Sequence, residues 1–302
     1  MTAASFTLAF LVYASLPSPV DDGVRQRASQ LLHAALEREQ AWIKVHAAEA
    51  LLAAGDTQGV KAAFDRELSL KGNERPYRIG IWRVLAQAAR NDEARQGWIK
   101  NIVDAFSDVD GTDRLHAAET LGKLGYRAPS DDRDMFELAA KEATGPLAAN
   151  ARWVLANGGR AKADAQLVDL LSSDDGATRG AAAYAIRFLP KIPVALWGKL
   201  LAAARREPEG AGADIVRASL VSAAFVHAPV EQQKATFKAE LVKYARTGSA
   251  DAKAEACAAL AMQGQDEDVP LLVSLLDDGN VDVRVAAANA ILQIDRRHLK
   301  GR

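Results

Sequence analysis

The chain has 302 residues and a formal net charge of −1, from 38 basic and 39 acidic side chains. This balance excludes the strongly basic composition of a general nucleic-acid-binding protein, so no nucleic-acid partner is expected. Hydrophobic residues make up 49 % of the chain but aromatic residues only 6 %. The excess is alanine, which favours helices that pack closely against one another.

The first 20 residues differ from the rest of the chain. An apolar run from Ala3 to Ala14 is too short to cross a membrane, but it fits the apolar region of a secretory signal. No Lys or Arg precedes the run, so a structural capping segment is the alternative. We therefore expect residues 1–20 to be a signal peptide or a cap, residues 21–302 to form one domain, and the protein to be either exported or cytoplasmic. No transmembrane segment is expected.

From Val24 onward, apolar residues recur with helical spacing in segments separated by turn-forming residues. These segments group into eight consecutive pairs of antiparallel helices, with no linker between them. The predicted pairs are 24–38 with 42–54, 57–70 with 75–90, 93–106 with 112–124, 131–143 with 146–156, 161–171 with 177–189, 192–206 with 213–226, 229–246 with 250–262, and 266–276 with 281–294. The polar and basic tail after this last segment is expected to be a frayed end.

A basic residue recurs near the start of the second helix of almost every pair. These residues, called the anchors below, are Lys44, Arg78, Arg114, Arg179, Arg217, Lys253 and Arg284, and the fourth pair has Leu147 in the equivalent place. Successive positions are 31 to 38 residues apart. A spacing this regular indicates one helix-pair unit used eight times in tandem, in which each unit needs its neighbours to bury its apolar face.

The last unit carries a family resemblance. The segments DVPLLVSLL at 268–276 and DVRVAAANAI at 282–291 resemble a HEAT repeat of the short bacterial, phycobilisome-lyase-like kind. The resemblance is strong over 251–295, weaker over 41–126 and weakest over 128–229. It implies an all-α fold, namely an α-solenoid (an armadillo/HEAT-like superhelix) of about eight antiparallel helix pairs, with the second helices on the concave side. It implies no particular chemistry, because this fold serves scaffolds, adaptors and a few enzymes.

The fifth residue after the anchor position is charged in each of the first four pairs, with alternating sign: Glu49, Arg83, Glu119 and Arg152. Helix register places these side chains on the concave side. Adjacent helices of a solenoid lie about 10 Å apart, so that long acidic and basic side chains can meet. The row therefore predicts either a ladder of structural ion pairs or part of a binding surface.

Two identical tetrads, His46-Ala-Ala-Glu49 and His116-Ala-Ala-Glu119, each place an imidazole and a carboxylate on one helix face. Both groups are acceptable metal ligands. However, the tetrads are two repeats apart, so we expect about 20 Å between them, which no single ion can bridge. We therefore predict no metal site and no cofactor, and expect each histidine to be oriented by its glutamate or to pack between repeats.

The second helices of the first four pairs carry the best-marked candidate surface, which mixes charged groups with two indoles. Aromatic faces beside hydrogen-bonding groups suit the recognition of peptides or sugars. The expected function is a non-catalytic binding or scaffolding module for a protein or peptide partner, with a carbohydrate as the alternative partner and the oligomeric state left open. The candidate binding residues are Lys44, His46, Glu49, Arg78, Trp82, Arg83, Arg114, His116, Glu119, Arg152 and Trp153.

Catalysis has less support in the sequence. Neither a nucleophile-elbow motif, a zinc-protease motif, a phosphate-binding loop nor a dinucleotide-binding loop is present. The alternative function is a groove enzyme that acts on a small polar or sugar substrate, with Glu119 and His116 as its acid–base pair.

Overall fold

The computed structural model describes residues 20–142, 144–208, 210 and 214–300. The signal or capping segment predicted for residues 1–20 lies outside these ranges except for Val20, which is buried. No helix in the described ranges combines the length and apolarity that a membrane crossing requires. The α-helices are α1 (Asp22–Arg38), α2 (Ala41–Ala54), α3 (Val60–Lys71), α4 (Tyr77–Gln87), α5 (Asp92–Ser107), α6 (Arg114–Lys123), α7 (Ser130–Glu142), α8 (Gly145–Asn157), α9 (Ala163–Asp169), α10 (Gly176–Arg187), α11 (Val194–Arg206), α12 (Asp214–His227), α13 (Glu231–Thr247), α14 (Ala250–Gln263), α15 (Val269–Leu275) and α16 (Val281–Lys300).

Each odd-numbered helix packs against the even-numbered helix that follows it. This confirms the eight antiparallel pairs and the all-α solenoid, and no strand occurs in the described ranges. The boundaries agree with the predicted ones within a few residues, except that α16 continues to Lys300. The predicted frayed end is therefore wrong up to Lys300. The added turns are held because Arg296 donates to the carbonyl of Ala53, while Arg297 donates to carbonyls of Ala261 and Gly264 at the end of α14.

The even-numbered helices bury small side chains where they approach one another. In α14, for example, Ala252, Ala256, Cys257 and Ala259 are all fully buried. Alanine has high helix propensity and little bulk, so helices rich in it can pack closely without losing local stability. This packing accounts for the alanine excess of the chain.

Five of the seven anchors bind a carboxylate of the following repeat. Lys44 in α2 lies 2.7 Å from Glu67 in α3, and Arg78 in α4 donates to Asp113, just before α6, at 2.6 Å. Later repeats show the same arrangement in the pairs Arg179–Glu207, Arg217–Glu240 and Lys253–Asp278. In each of these five pairs the carboxylate belongs to the next helix pair along the chain. At these five positions the recurring basic residue is therefore an ion-pair contact between repeats.

The two ends of the solenoid meet. Helix α16 packs against α1 and α2, so every even-numbered helix contacts two even-numbered neighbours and the eight form a closed inner ring. At the junction, Arg25 in α1 binds the carboxylate of Asp295 in α16 through Nε at 2.6 Å and Nη2 at 2.9 Å. Arg27 contacts Asp277 nearby. Repeat spacing alone does not indicate this closure, because closure depends on the curvature of the whole stack.

We expect Arg25→Ala to lower the free energy of unfolding by about 2 kcal/mol, because Asp295 is only 6 % exposed and loses its guanidinium partner. The control is Arg27→Ala, whose pair with Asp277 is solvent-exposed and should contribute less than about 1 kcal/mol. Urea unfolding followed by circular dichroism measures both. Equal losses in the two variants would show that the Arg25 contact does not stabilise the junction.

Candidate functional site

The inner ring surrounds a cavity of about 550 Å³, called the central cavity below. Its walls come from α2, α4, α6, α10, α12, α14 and α16. Helices α14 and α16 contribute residues at the same four register positions, Asp251, Ala254, Glu255 and Ala258 in one and Asp282, Val285, Ala286 and Asn289 in the other. This spacing defines a single face of each helix. The concave side of the solenoid thus forms a partly open cavity that seven inner helices border.

A charged network crosses the wall of the cavity from α2 to α6. Arg83 is 2 % exposed and donates from Nη2 to Glu49 at 2.9 Å and from Nη1 to the hydroxyl of Thr120 at 3.2 Å. Lys123 lies 2.9 Å from Glu119 on the same helix. Three of the four charges predicted to form a row, Glu49, Arg83 and Glu119, therefore come together in this ion network.

The network fixes the ionisation of its carboxylates. Burial acts to raise the pKa of Glu119, but the positive charges of Lys123 and Arg83 outweigh burial and lower this pKa to about 2. Burial also acts to raise the pKa of Glu49, but the positive charge of Arg83 outweighs burial and lowers this pKa. Burial lowers the pKa of His116, which favours its neutral form. An ionised, paired Glu119 is poorly suited to donate a proton, so the geometry does not favour the acid–base pair of the alternative enzyme function.

His116 stacks on Trp42, with ring centroids 5.2 Å apart and planes 16° apart. The contact joins α2 to α6 across α4, and Gly80 in α4 leaves the room for it. A Cβ atom at Gly80 would lie 2.9 Å from Cγ2 of Val45 and 3.0 Å from Cζ3 of Trp42. Both tetrads are thereby brought to one small pocket of about 220 Å³, which His46 and His116 line together.

The expected separation of about 20 Å between the tetrads is therefore wrong. Because Gly80 has no side chain, Trp42 reaches past α4 to stack on His116, and the side chains of the two tetrads line one pocket. Nδ1 of His46 lies 3.4 Å from Asp282 of α16, so its nearest acidic partner is that residue and not Glu49. Within the described ranges, no three His, Cys, Asp or Glu side chains converge as a metal site would require.

Three candidate binding residues lie away from the cavity because they are anchors. Lys44 and Arg78 hold the carboxylates of the next repeat, and Arg114 donates to the carbonyl of Phe106 at 3.0 Å. Trp82 lines a separate surface pocket of about 270 Å³, where the guanidinium of Arg78 lies 5.0 Å from its ring centroid. Arg78 therefore covers one face of the Trp82 ring. The eleven candidates therefore do not form one surface.

The two candidates on α8 also differ from expectation. Trp153 is 1 % exposed, so it belongs to the core and not to the inner surface. It packs directly on Gly122 and stacks on Phe188 at 5.3 Å between centroids, which supports the cavity wall from behind. Arg152 is half-buried and donates to the carbonyl of Ala148 on its own helix. It forms no ion pair with a described residue, and Glu119 is paired with Lys123 instead.

The cavity residues that were not among the candidates include Tyr184 and Arg187 on α10, Phe188 directly after it, and Glu255 on α14. Arg187 forms a buried ion pair with Glu255, and its guanidinium lies 4.9 Å from the ring centroids of both Tyr184 and Phe188. Lys123 lies 5.3 Å from the Tyr184 ring, which links this group to the ion network. Two of these residues could have been predicted from the helix register, because Tyr184 is the fifth residue after the anchor Arg179 and Glu255 is the second residue after the anchor Lys253.

The ring of stacked helix pairs places the chain in the class of all-α repeat proteins. The family model described as HEAT repeat matches residues 269–297, which cover α15 and most of α16. The last helix pair of the chain is thus similar to a HEAT repeat.

Solved structures with similarity to the chain include two crystal structures of engineered proteins from the Northeast Structural Genomics Consortium. The first is 18 % identical, with 88 % of this chain and 78 % of that chain covered and a TM-score of 0.34. The second is 17 % identical, with 89 % and 96 % covered and a TM-score of 0.24. No curated protein matches the chain.

We expect Gly80→Ala to destabilise the protein and to disrupt the stack of Trp42 on His116, because the added Cβ would overlap Val45 and Trp42. Gly97→Ala is the matched control. Gly97 also lies inside a helix, but a Cβ there meets nothing within 4 Å, so this change should stabilise by about 0.5–1 kcal/mol through helix propensity. Thermal unfolding and tryptophan fluorescence measure the effects. Stabilisation by both changes would show that the stack of Trp42 on His116 does not depend on Gly80.

The lowered pKa of Glu119 makes its contribution dependent on pH. Because its pKa falls on folding, its stabilisation is complete above the ordinary value of 4.5 and is lost as the pH falls towards about 2. The difference in unfolding free energy between the wild type and Glu119→Gln should therefore be constant above pH 5.5 or so and shrink below it. Urea titrations across this range measure the difference, with the exposed Glu37→Gln as control. A difference that grows on acidification would contradict the pairing.

Proposed function

We propose that the protein is a non-catalytic binding module that receives a segment of a partner protein on the inner face of its ring. HEAT repeats are scaffolds that typically mediate protein interactions, which supports the general class. The observation that carries the proposal is the central cavity, into which charged and apolar side chains project together.

The apolar part of the cavity argues for a partner. Phe188, which directly follows α10, and Ile215 on α12 line the cavity and are 38 % and 39 % exposed. Side chains that serve only to stabilise a core are normally covered, and an apolar surface left open inside a concave site is typical of recognition. A partner that covers Phe188 and Ile215 removes this apolar surface from water.

The size of the cavity limits what part of a partner can enter. Ligand sites generally measure about 300–1,000 Å³, and the central cavity of about 550 Å³ falls in this range. A folded domain cannot enter such a volume, whereas a few residues of an extended segment can. The partner therefore presents a loop or a chain terminus.

Selection of a random peptide library on the immobilised protein tests this function. We expect the enriched peptides to bind Ala258→Trp at least about tenfold more weakly, because the indole fills the cavity at Ala258. The control is Ala62→Trp, which places the same side chain on the exposed face of outer helix α3 and should leave binding unchanged.

Two results would contradict the proposed function. One is a library that yields no enriched peptide. The other is a set of peptides that bind the Ala258→Trp variant as tightly as the wild type, because such peptides would use another surface. Circular dichroism of both tryptophan variants must match the wild type, so that a loss of binding reports on the cavity and not on folding.

A further inference from the structure

The charges that line the central cavity do not balance one another. Its carboxylates are those of Glu49, Asp251, Glu255 and Asp282, and its cationic side chains are those of Lys123 and Arg187. Both cations already hold a carboxylate, Glu119 in the case of Lys123 and Glu255 in the case of Arg187. Glu49 is paired with Arg83. The carboxylates of Asp251 and Asp282 thus remain without a cationic Lys or Arg partner among the described residues.

These two carboxylates occupy equivalent places on neighbouring helices. Each lies two residues before the anchor of its helix, in the first turn of α14 or α16. Parallel neighbours in such a stack lie about 10 Å apart, so the two side chains can face the same ligand group. The carboxylate of Asp251 is exposed and makes no hydrogen bond or ion pair to a described residue. The side chain of Asp282 is 44 % exposed, and its carboxylate contacts only His46, at 3.4 Å, among the described residues. Both are therefore open to the cavity.

Helix capping does not account for the two carboxylates. The N-cap of α14 is Ser249, whose hydroxyl accepts from the backbone N–H of Ala252. At α16 the side chain of Asn280 accepts from the backbone N–H groups of Asp282 and Val283. A carboxylate in the first turn gains some stabilisation from the helix dipole, typically less than about 1 kcal/mol when exposed. Two accessible negative charges at one cavity therefore attract a cation.

The surroundings of the carboxylates add a further requirement on the ligand. Ile215 lies two residues before the anchor of α12, the same register position as the two aspartates, and its exposed side chain lines the cavity together with Phe188. A ligand must therefore carry an apolar group beside its cation.

We propose that the central cavity recognises a peptide segment in which a lysine or arginine stands next to an apolar residue. The basic side chain lies between Asp251 and Asp282, and the apolar neighbour packs on Phe188 and Ile215. This inference rests on the proposed function and specifies the segment that the partner presents. Charge complementarity supplies the selectivity, because a neutral or acidic side chain leaves the two carboxylates uncompensated.

Three tripeptide amides of matched shape test the inference: acetyl-Leu-Arg-Leu-amide, its citrulline analogue, which is neutral and nearly isosteric, and its glutamate analogue. Binding is followed by NMR of isoleucine methyl groups in the full-length protein. The methyl groups of Ile215 report on the cavity, and those of the buried Ile99 serve as the internal control. We expect the arginine peptide to bind roughly tenfold more tightly than the citrulline peptide and the glutamate peptide to bind more weakly still.

The double variant Asp251→Asn/Asp282→Asn identifies the source of the selectivity. It should reduce the preference for arginine over citrulline to less than about twofold, because both charges are removed while the amides keep the shape. Asp65→Asn, on the exposed face of outer helix α3, is the control and should keep the full preference. Urea unfolding of the double variant checks that the ring is intact.

Each outcome bears on one of the two proposals. Equal binding of the arginine and citrulline peptides at the Ile215 methyl overturns the inference but leaves the proposed function standing. An arginine preference that survives in the double variant also overturns the inference, because residues other than Asp251 and Asp282 would then recognise the positive charge. If no peptide shifts the Ile215 signal, the inference fails, and the library selection against Ala258→Trp decides the proposed function separately.

Discussion

The packing of α16 against α1 and α2 is the constraint from which the properties of the inner surface follow. In an open solenoid the inner side chains would face bulk water, where ion pairs contribute little. Closure instead makes them face one another across a small space, where interactions between charges are stronger and each charge needs a partner of opposite sign. The ion network around Arg83 and the buried pair of Arg187 with Glu255 answer this requirement. The carboxylates of Asp251 and Asp282 are the exception, because neither has a Lys or Arg partner among the described residues.

Ionic contacts act at two levels of the ring. Between repeats, an anchor such as Lys44 holds a carboxylate of the next helix pair. Inside the ring, a second set joins neighbouring inner helices, as Arg83 joins α4 to α2. The first set fixes the spacing and orientation of successive pairs, while the second lines the cavity. Residues near the start of an inner helix therefore stabilise the stack, and only those further along it, or just before the anchor, reach the central space.

The helix pairs and their register could be predicted from the sequence because both depend on short-range periodicity. The same register places Glu49, Arg83 and Glu119 together, as found. Closure could not be predicted, since it sums small rotations over all eight pairs. The pairing of Arg187 with Glu255, the burial of Trp153 and the absence of Arg152 from the network depend on that curvature or on packing against Gly122. Local spacing contains no information about any of them.

A closed ring of helix pairs also restricts which changes in the number of repeats the gene can accept. Tandem units in an open array can be duplicated or deleted by unequal recombination, and the array merely grows or shrinks. Here a ninth helix pair would separate Arg25 from Asp295, so the ring would have to widen or to open. Single substitutions inside the circle remain available, so this architecture should diversify by changing its inner side chains while keeping its number of units.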